Sequence, residues 1–231
     1  MKRFWKTAEA VTEQDGWGVR LDDKPLRTPA KALLQVPTGA LAQAIAQEWA
    51  SAEAHVQPRA MPLTGLANVA IDRAAPDRAS FAGDIAKYAE ADLACYRAEG
   101  PRTLVQRQSE SWDQLLAWAR RRYDVDFVVT TGILHVDQPP ATVDRLAHEV
   151  AALDAFRLAG VSPLVTVGGS LIAGLALLEG ALTAAEAWEA VSIDERWQLE
   201  KWGADAEAVA ALELRRADFF AAARFLELLE A

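Results

Sequence analysis

The segment Gln14-Asp15-Gly16-Trp17-Gly18-Val19-Arg20-Leu21-Asp22-Asp23-Lys24-Pro25 decides the reading of the N-terminal region. Trp17 to Leu21 alternates apolar with small or polar residues, the period of a strand with one buried face. Gln14-Asp15-Gly16 before it is a turn signal, and Asp22-Asp23-Lys24-Pro25 turns the chain again. Outward from this core, Arg3 to Ala10 reads as a preceding strand, and Leu26-Arg27-Thr28 and Leu33-Leu34-Gln35-Val36 as further short ones. Prolines at 25, 29 and 37 confine these strands to edges or ends. The first 37 residues therefore predict an antiparallel β-meander.

Helical spacing takes over next. Thr38 suits an N-cap, and Leu41, Ile45 and Trp49 recur every four residues on one face. Thr64 starts a second predicted helix through Ile71, after a break at Met61-Pro62-Leu63. Pro76-Asp77 opens a third through Phe81, Ile85 and Tyr88. Leu93-Ala94-Cys95-Tyr96-Arg97 reads as a short strand returning to the sheet. From Pro101, suited to a first helical turn, helices dominate: Leu104, Gln108, Trp112, Leu115, Leu116 and Trp118 continue at helical spacing. Asp126 to Val129 and Gly132-Ile133-Leu134 predict a small hairpin or extended excursion. Further helices are expected over 141–153, 155–164, 169–179, 183–202 and 205–229. Thr183 with Glu186 forms a capping box, and Gly180 and Gly203 are stops. The fold class expected is α+β: an N-terminal meander with helices over 1–100, then an all-helical domain over 101–231.

Bulk properties narrow the function. The chain has 231 residues, 52% of them hydrophobic, enough for a substantial core. Its formal charge of −9 opposes attraction to nucleic acid or anionic lipid. Most of the excess carboxylate lies after Trp112. Val161 to Leu178, the longest apolar stretch, is interrupted by Ser162, Pro163, three glycines and Ser170, and predicts no membrane insertion. Cys95 is the single cysteine, so no intramolecular disulfide is possible and a reducing compartment is expected. His55, His135 and His148 are scattered, which predicts no metal site. No cofactor is expected either. Gly168-Gly169-Ser170 lacks the lysine and spacing of a phosphate loop, and close helix packing is the plainer reading. Cys95 reads as a buried structural residue and His148 as a surface or boundary one.

Ser192-Ile193-Asp194-Glu195-Arg196-Trp197-Gln198 leaves three readings open. Paired carboxylates can act as acid and base, and a small hydrolase or lyase using Asp194 and Glu195 is the enzymatic alternative. They can be a solvated face with i,i+4 pairs such as Arg196 with Glu200. They can also recognise a basic, partly apolar protein surface. Tryptophan is abundant, eight in all; most should be core, with one or two left as anchors.

Several strings, in order along nearly the whole chain, resemble a family of assembly chaperones for the catalytic head of ATP synthase, found in mitochondria and alphaproteobacteria. They are Arg3-Phe4-Trp5-Lys6, Val19-Arg20-Leu21-Asp22, Leu26-Arg27-Thr28-Pro29, Ala44-Ile45-Ala46-Gln47-Glu48-Trp49, Met61 to Ala67 and Ala70-Ile71-Asp72. Then come Tyr88, Asp92-Leu93-Ala94-Cys95-Tyr96-Arg97-Ala98, Gln108, Trp112-Asp113, Asp194-Glu195, Gln198 and Trp202-Gly203. Trp197 departs from the pattern, since relatives often carry a smaller aromatic there. The resemblance implies no catalysis: such proteins hold the unassembled α subunit until the β subunit displaces them. It also implies an important acid within Asp194-Glu195, with Glu195 favoured. Glu195, Asp194, Gln198 and Trp202 are thus the expected client-binding residues. The protein is expected to be a monomer in a bacterial cytoplasm, or in the mitochondrial matrix for a processed eukaryotic chain.

Overall fold

A computed structural model describes residues 2–203 and 205–231. The first strands are β1 (Ala8–Glu13) and β2 (Gly16–Leu21), antiparallel in a register that runs from Ala8 opposite Leu21 to Glu13 opposite Gly16. The two-residue turn leaves Gly16 at φ +136°, and a Cβ there would stand 2.7 Å from the Val36 carbonyl oxygen. Both facts demand glycine. Lys24–Pro25 is not only a turn but a short strand, β3, on the edge beyond β2, while β4 (Gln35–Val36) pairs with the other end of β2. Pro25 on the outer strand lacks a donor where none is required.

Helix α1 (Gly39–Ala50) packs its Leu41, Ile45 and Trp49 face on β1 and β2. Thr38 caps it by accepting from the Leu41 amide. Helix α2 (Pro62–Val69) starts two residues earlier than expected because Pro62 fits the first helical turn. Met61 has no side chain able to cap it. The Glu48 carboxylate, reaching from α1, does so instead, accepting from the Leu63 amide at 2.7 Å, the Thr64 amide at 2.8 Å and the Thr64 hydroxyl at 2.6 Å. Trp5 donates to the Trp49 carbonyl, and Trp49 to the Thr64 hydroxyl, so two buried indoles are satisfied.

Beyond α3 (Arg78–Ala86) the long helix α4 (Arg102–Tyr123) buries Leu104, Gln108, Trp112, Leu115, Leu116, Ala119 and Tyr123. The remaining helices are α5 (Pro140–Ala152), α6 (Ala155–Gly168), α7 (Leu171–Leu178), α8 (Ala184–Val191), α9 (Ile193–Trp202) and α10 (Ala206–Leu229). The α+β class holds, mostly helical. Helix α6 does not stop at Leu164: it runs past Pro163, because Leu158, Ala159, Val161, Leu164 and Val165 are all fully buried and tertiary packing outweighs one lost hydrogen bond. The single helix expected over 183–202 is two helices. Buried Ser192 breaks it, its hydroxyl bonded to the Trp188 carbonyl at 2.6 Å.

Contacts divide the chain into two units. One comprises Met1–Phe81 with Asp154–Gly160 and Arg224–Ala231; the other comprises Ala82–Leu153 and Val161–Ala223. In the first, Phe225 and Leu228 join the core of the sheet and α1, and Thr38 donates to the Leu228 carbonyl at 2.5 Å. A Cβ at Gly160 would stand 2.5 Å from Leu226, so the two late segments pack almost backbone to side chain.

In the second unit the string from Asp92 to Arg97 is a structural knot. It is a 3-10 turn over Leu93–Cys95 and then β5 (Tyr96–Arg97), which pairs parallel with β6 (Thr130–Thr131). It does not return to the meander, and residues 126–134 form no hairpin. Fully buried Asp92 accepts from the Ala94 amide, the Ser170 hydroxyl and the Ile172 amide at 2.8–2.9 Å. Gly168-Gly169-Ser170 therefore brings Ser170 to the N-cap of α7. Arg97 bonds the Ala94 carbonyl and Asp113, both at 2.6 Å, and lies over the Trp112 ring. Cys95 is buried in this knot, and desolvation pushes its thiol up to about 12.

Candidate functional site

Helix α9 carries the four residues singled out from the sequence. Trp197 at its middle is buried, and Gly203 at φ +90° ends it. The adjacent acids at its N-terminal turn face favourably toward the helix dipole but have different partners. Asp194 is half-buried and accepts from the Gln108 side chain of α4 at 2.7 Å. Burial raises its pKa above the ordinary aspartate value, the Gln108 bond opposes the rise, and the neighbouring Glu195 charge adds to it. Glu195 accepts from Arg215 of α10 at 2.5 Å, and the same guanidinium also donates to the Val167 carbonyl. An acid–base pair would need both carboxylates aimed at one substrate position. Here one is tied to α4 and the other to α10.

Gln198 is exposed, one turn on from Asp194. Trp202 is 76% exposed, its ring edge-on to Trp197 with centroids 5.9 Å apart. Trp5, Trp49, Trp112, Trp188 and Trp197 are buried, as most of the tryptophans are expected to be, and Trp202 points outward. The predicted Arg196–Glu200 pair does not form. Arg196 pairs with Glu189 of α8, and Glu200 with Arg107 of α4 at 2.7 Å, because the break at Ser192 reorients α9 relative to α8 and sets it along α4. These crossed pairs line a polar groove with Glu110 and Ser111. Beside it an apolar groove of about 700 Å³ runs between α4, α7 and α8, floored by Leu115, Trp118, Ala176 and Leu182. Sequence reading missed Arg215 and Arg107, whose only sign was cationic residues on helices distant in sequence from the acids they meet. His148 is exposed as expected. Among the described residues no group of His, Cys, Asp and Glu is arranged to hold a metal ion. No described helix is long and apolar enough to cross a membrane.

The fold is mixed α+β and mostly helical, its two adjacent acids on α9 are held by different helices, and comparison with known proteins places the chain. Residues 2–120 match the family model described as ATP12 chaperone protein. Atp12 of Paracoccus denitrificans is 42% identical in its crystal structure, with a TM-score of 0.92 over 99% of this chain and 98% of that one. The Atu1473 protein of Agrobacterium tumefaciens is 38% identical, with a TM-score of 0.93 over 99% of this chain and 86% of that one. The mitochondrial protein atp12 of Schizosaccharomyces pombe is 23% identical over 214 residues, 87% of this chain and 74% of that protein. The chain belongs to the ATP12 chaperone family, the assembly chaperones of ATP synthase.

Proposed function

We propose that this chain binds the unassembled α subunit of the ATP synthase head, shields it from aggregation, and yields it to the β subunit without catalysing a reaction. Family membership carried by a 42% identical structure across 99% of the chain is the observation on which this rests. The physical logic is that of an orphaned oligomer subunit. Its free interface resembles a core cut open and aggregates unless covered. An apolar patch with a complementary charged rim covers it, and must bind less tightly than the true neighbour so that exchange runs forward.

In this proposal Glu195, Asp194 and Gln198 form the polar rim and Trp202 the exposed anchor, on the acidic helical part beyond residue 100. The protein works as a monomer in the aqueous compartment where the head is assembled, without nucleic acid or cofactor. Copurification from a native lysate tests the client: recovery of the α subunit and not β supports the reading, and recovery of neither overturns it. Glu195→Lys tests the rim. It replaces the acceptor of Arg215 with a like charge, and loss of α-subunit aggregation suppression is expected. Unchanged suppression by a folded variant removes Glu195 from the mechanism.

A further inference from the structure

The excursion between α4 and α5 ends in a tip that ordinary folding does not explain. Ile133 is 98% exposed and Leu134 80%, and Val128 and Val129 are also exposed. Scattered surface apolar residues need no account, but two adjacent large aliphatics standing clear of the protein do. A floppy loop could carry them by accident. This loop is built firmly at its base. β6 pairs with β5, and the Gly132 amide donates to the Arg97 carbonyl at 2.9 Å. Buried Gln138 clamps Val128 from both sides, accepting from its amide at 3.0 Å and donating to its carbonyl at 2.9 Å. Thr142 donates to the Asp126 carbonyl at 2.7 Å, and Phe127 is buried. The base on either side of the tip is thus fixed before docking, which lowers the ordering cost of seating it.

Charge around the tip selects its partner. At the base of the excursion Asp126 is paired with Arg120 at 3.5 Å, and the acids beside the tip are Asp137 and Glu99. The Asp137 side chain is almost wholly exposed, and the Glu99 carboxylate oxygen lies 3.2 Å from where a Cβ on Gly132 would stand. Anionic lipid would repel this rim, and a second copy would set acid against acid. A cleft that is apolar inside and basic at its edge complements it.

We propose that Ile133 and Leu134 form an insertion tip that seats in an apolar, basic-rimmed cleft on the ATP synthase subunit the chaperone holds. This rests on the function proposed above and adds a second contact, independent of Trp202. The test titrates the full chain and the double variant Ile133→Ser/Leu134→Ser against purified, unassembled α subunit and, separately, β subunit. Both positions are exposed, so the variant should keep the wild-type unfolding midpoint. Each aliphatic fully buried on docking is worth roughly tenfold or more in affinity, and a loss of at least about tenfold is expected for the pair. Raising salt should weaken the wild type further.

If the wild type binds the α subunit and the double variant binds it equally well, the tip inference is overturned and the client assignment stands. If tip-dependent binding is found to β and not α, the client assignment falls and the tip inference survives. Binding to neither subunit overturns both. Tip-dependent sedimentation with phosphatidylglycerol vesicles, or tip-dependent dimerisation of the chaperone alone, would overturn it in favour of a lipid or self-associating surface.

Discussion

Asp92→Asn isolates a contest between two physical effects on one buried carboxylate. Three donors face Asp92 at 2.8–2.9 Å, two of them backbone amides, and hydrogen bonds of this kind favour the charged form. Complete burial opposes them and is the larger influence, lifting the group from 3.8 to about 6. At about 1.36 kcal/mol per unit, a rise from 3.8 to about 6 corresponds to roughly 3 kcal/mol. The sign follows from proton binding. The folded protein holds the Asp92 proton more tightly than the unfolded chain, so the stabilisation is fully present below the unfolded value. It is lost as pH rises through the folded value and is constant above it.

An asparagine cannot ionise, and it carries a pH-independent cost because its amide turns a donor toward one of the three. Only the pH dependence of the difference between the two proteins therefore reports on ionisation. Urea unfolding followed by tryptophan fluorescence should be run on both proteins from pH 4 to pH 8. The asparagine variant should gain on the wild type by roughly 2–2.5 kcal/mol between pH 4 and pH 7, since part of the full difference is already lost at pH 4. A flat difference would show that the three donors balance desolvation, and one of opposite slope that they outweigh it; either refutes the reasoning.

Two further perturbations probe the packing that positions the surface. Glu48→Ala leaves the Leu63 and Thr64 amides without their acceptor and should cost roughly 2–3 kcal/mol; thermal unfolding that shifts by less than a degree would refute the cap. Cys95 is buried with its thiol pushed up to about 12, so native protein at pH 8 should resist a thiol reagent until urea unfolds it, and prompt stoichiometric labelling would contradict its place in the knot.

What was legible in the sequence was local. Alternation at Trp17 to Leu21, the four-residue rhythm of Leu41, Ile45 and Trp49, and the Thr183–Glu186 box each act within a few residues and each appears where expected. What was not legible depends on partners far along the chain. Ser192 breaks a helix because a buried hydroxyl finds the Trp188 carbonyl, and Pro163 is carried through one because its neighbours are buried. No window of sequence announces that 154–160 and 224–231 share a unit with the meander. The same limit applies to the site. Asp194 and Glu195 were visible as acids, but their partners lie 86 and 20 residues away, at Gln108 and Arg215. Ile133 and Leu134 read as part of a small hairpin or an extended excursion, and the excursion is what forms; their exposure was not legible.

Those internal partners bear on how a holding protein can let go. A carboxylate free in solvent meets an incoming cation at little cost beyond its own desolvation. Glu195 already accepts from Arg215, which is itself held by the Val167 carbonyl, so on the proposed role a basic group on the client would compete with this internal cation. The exchange keeps the rotamer ordered before binding, which lowers the entropic cost. It also subtracts the internal pair from the gain, which limits affinity. Fast, charge-guided encounter with modest residence is the outcome of such a balance. On the proposed role, the β subunit needs only to offer a larger apolar interface to win the client, because the chaperone's charges were satisfied before the client arrived and are satisfied again after it departs.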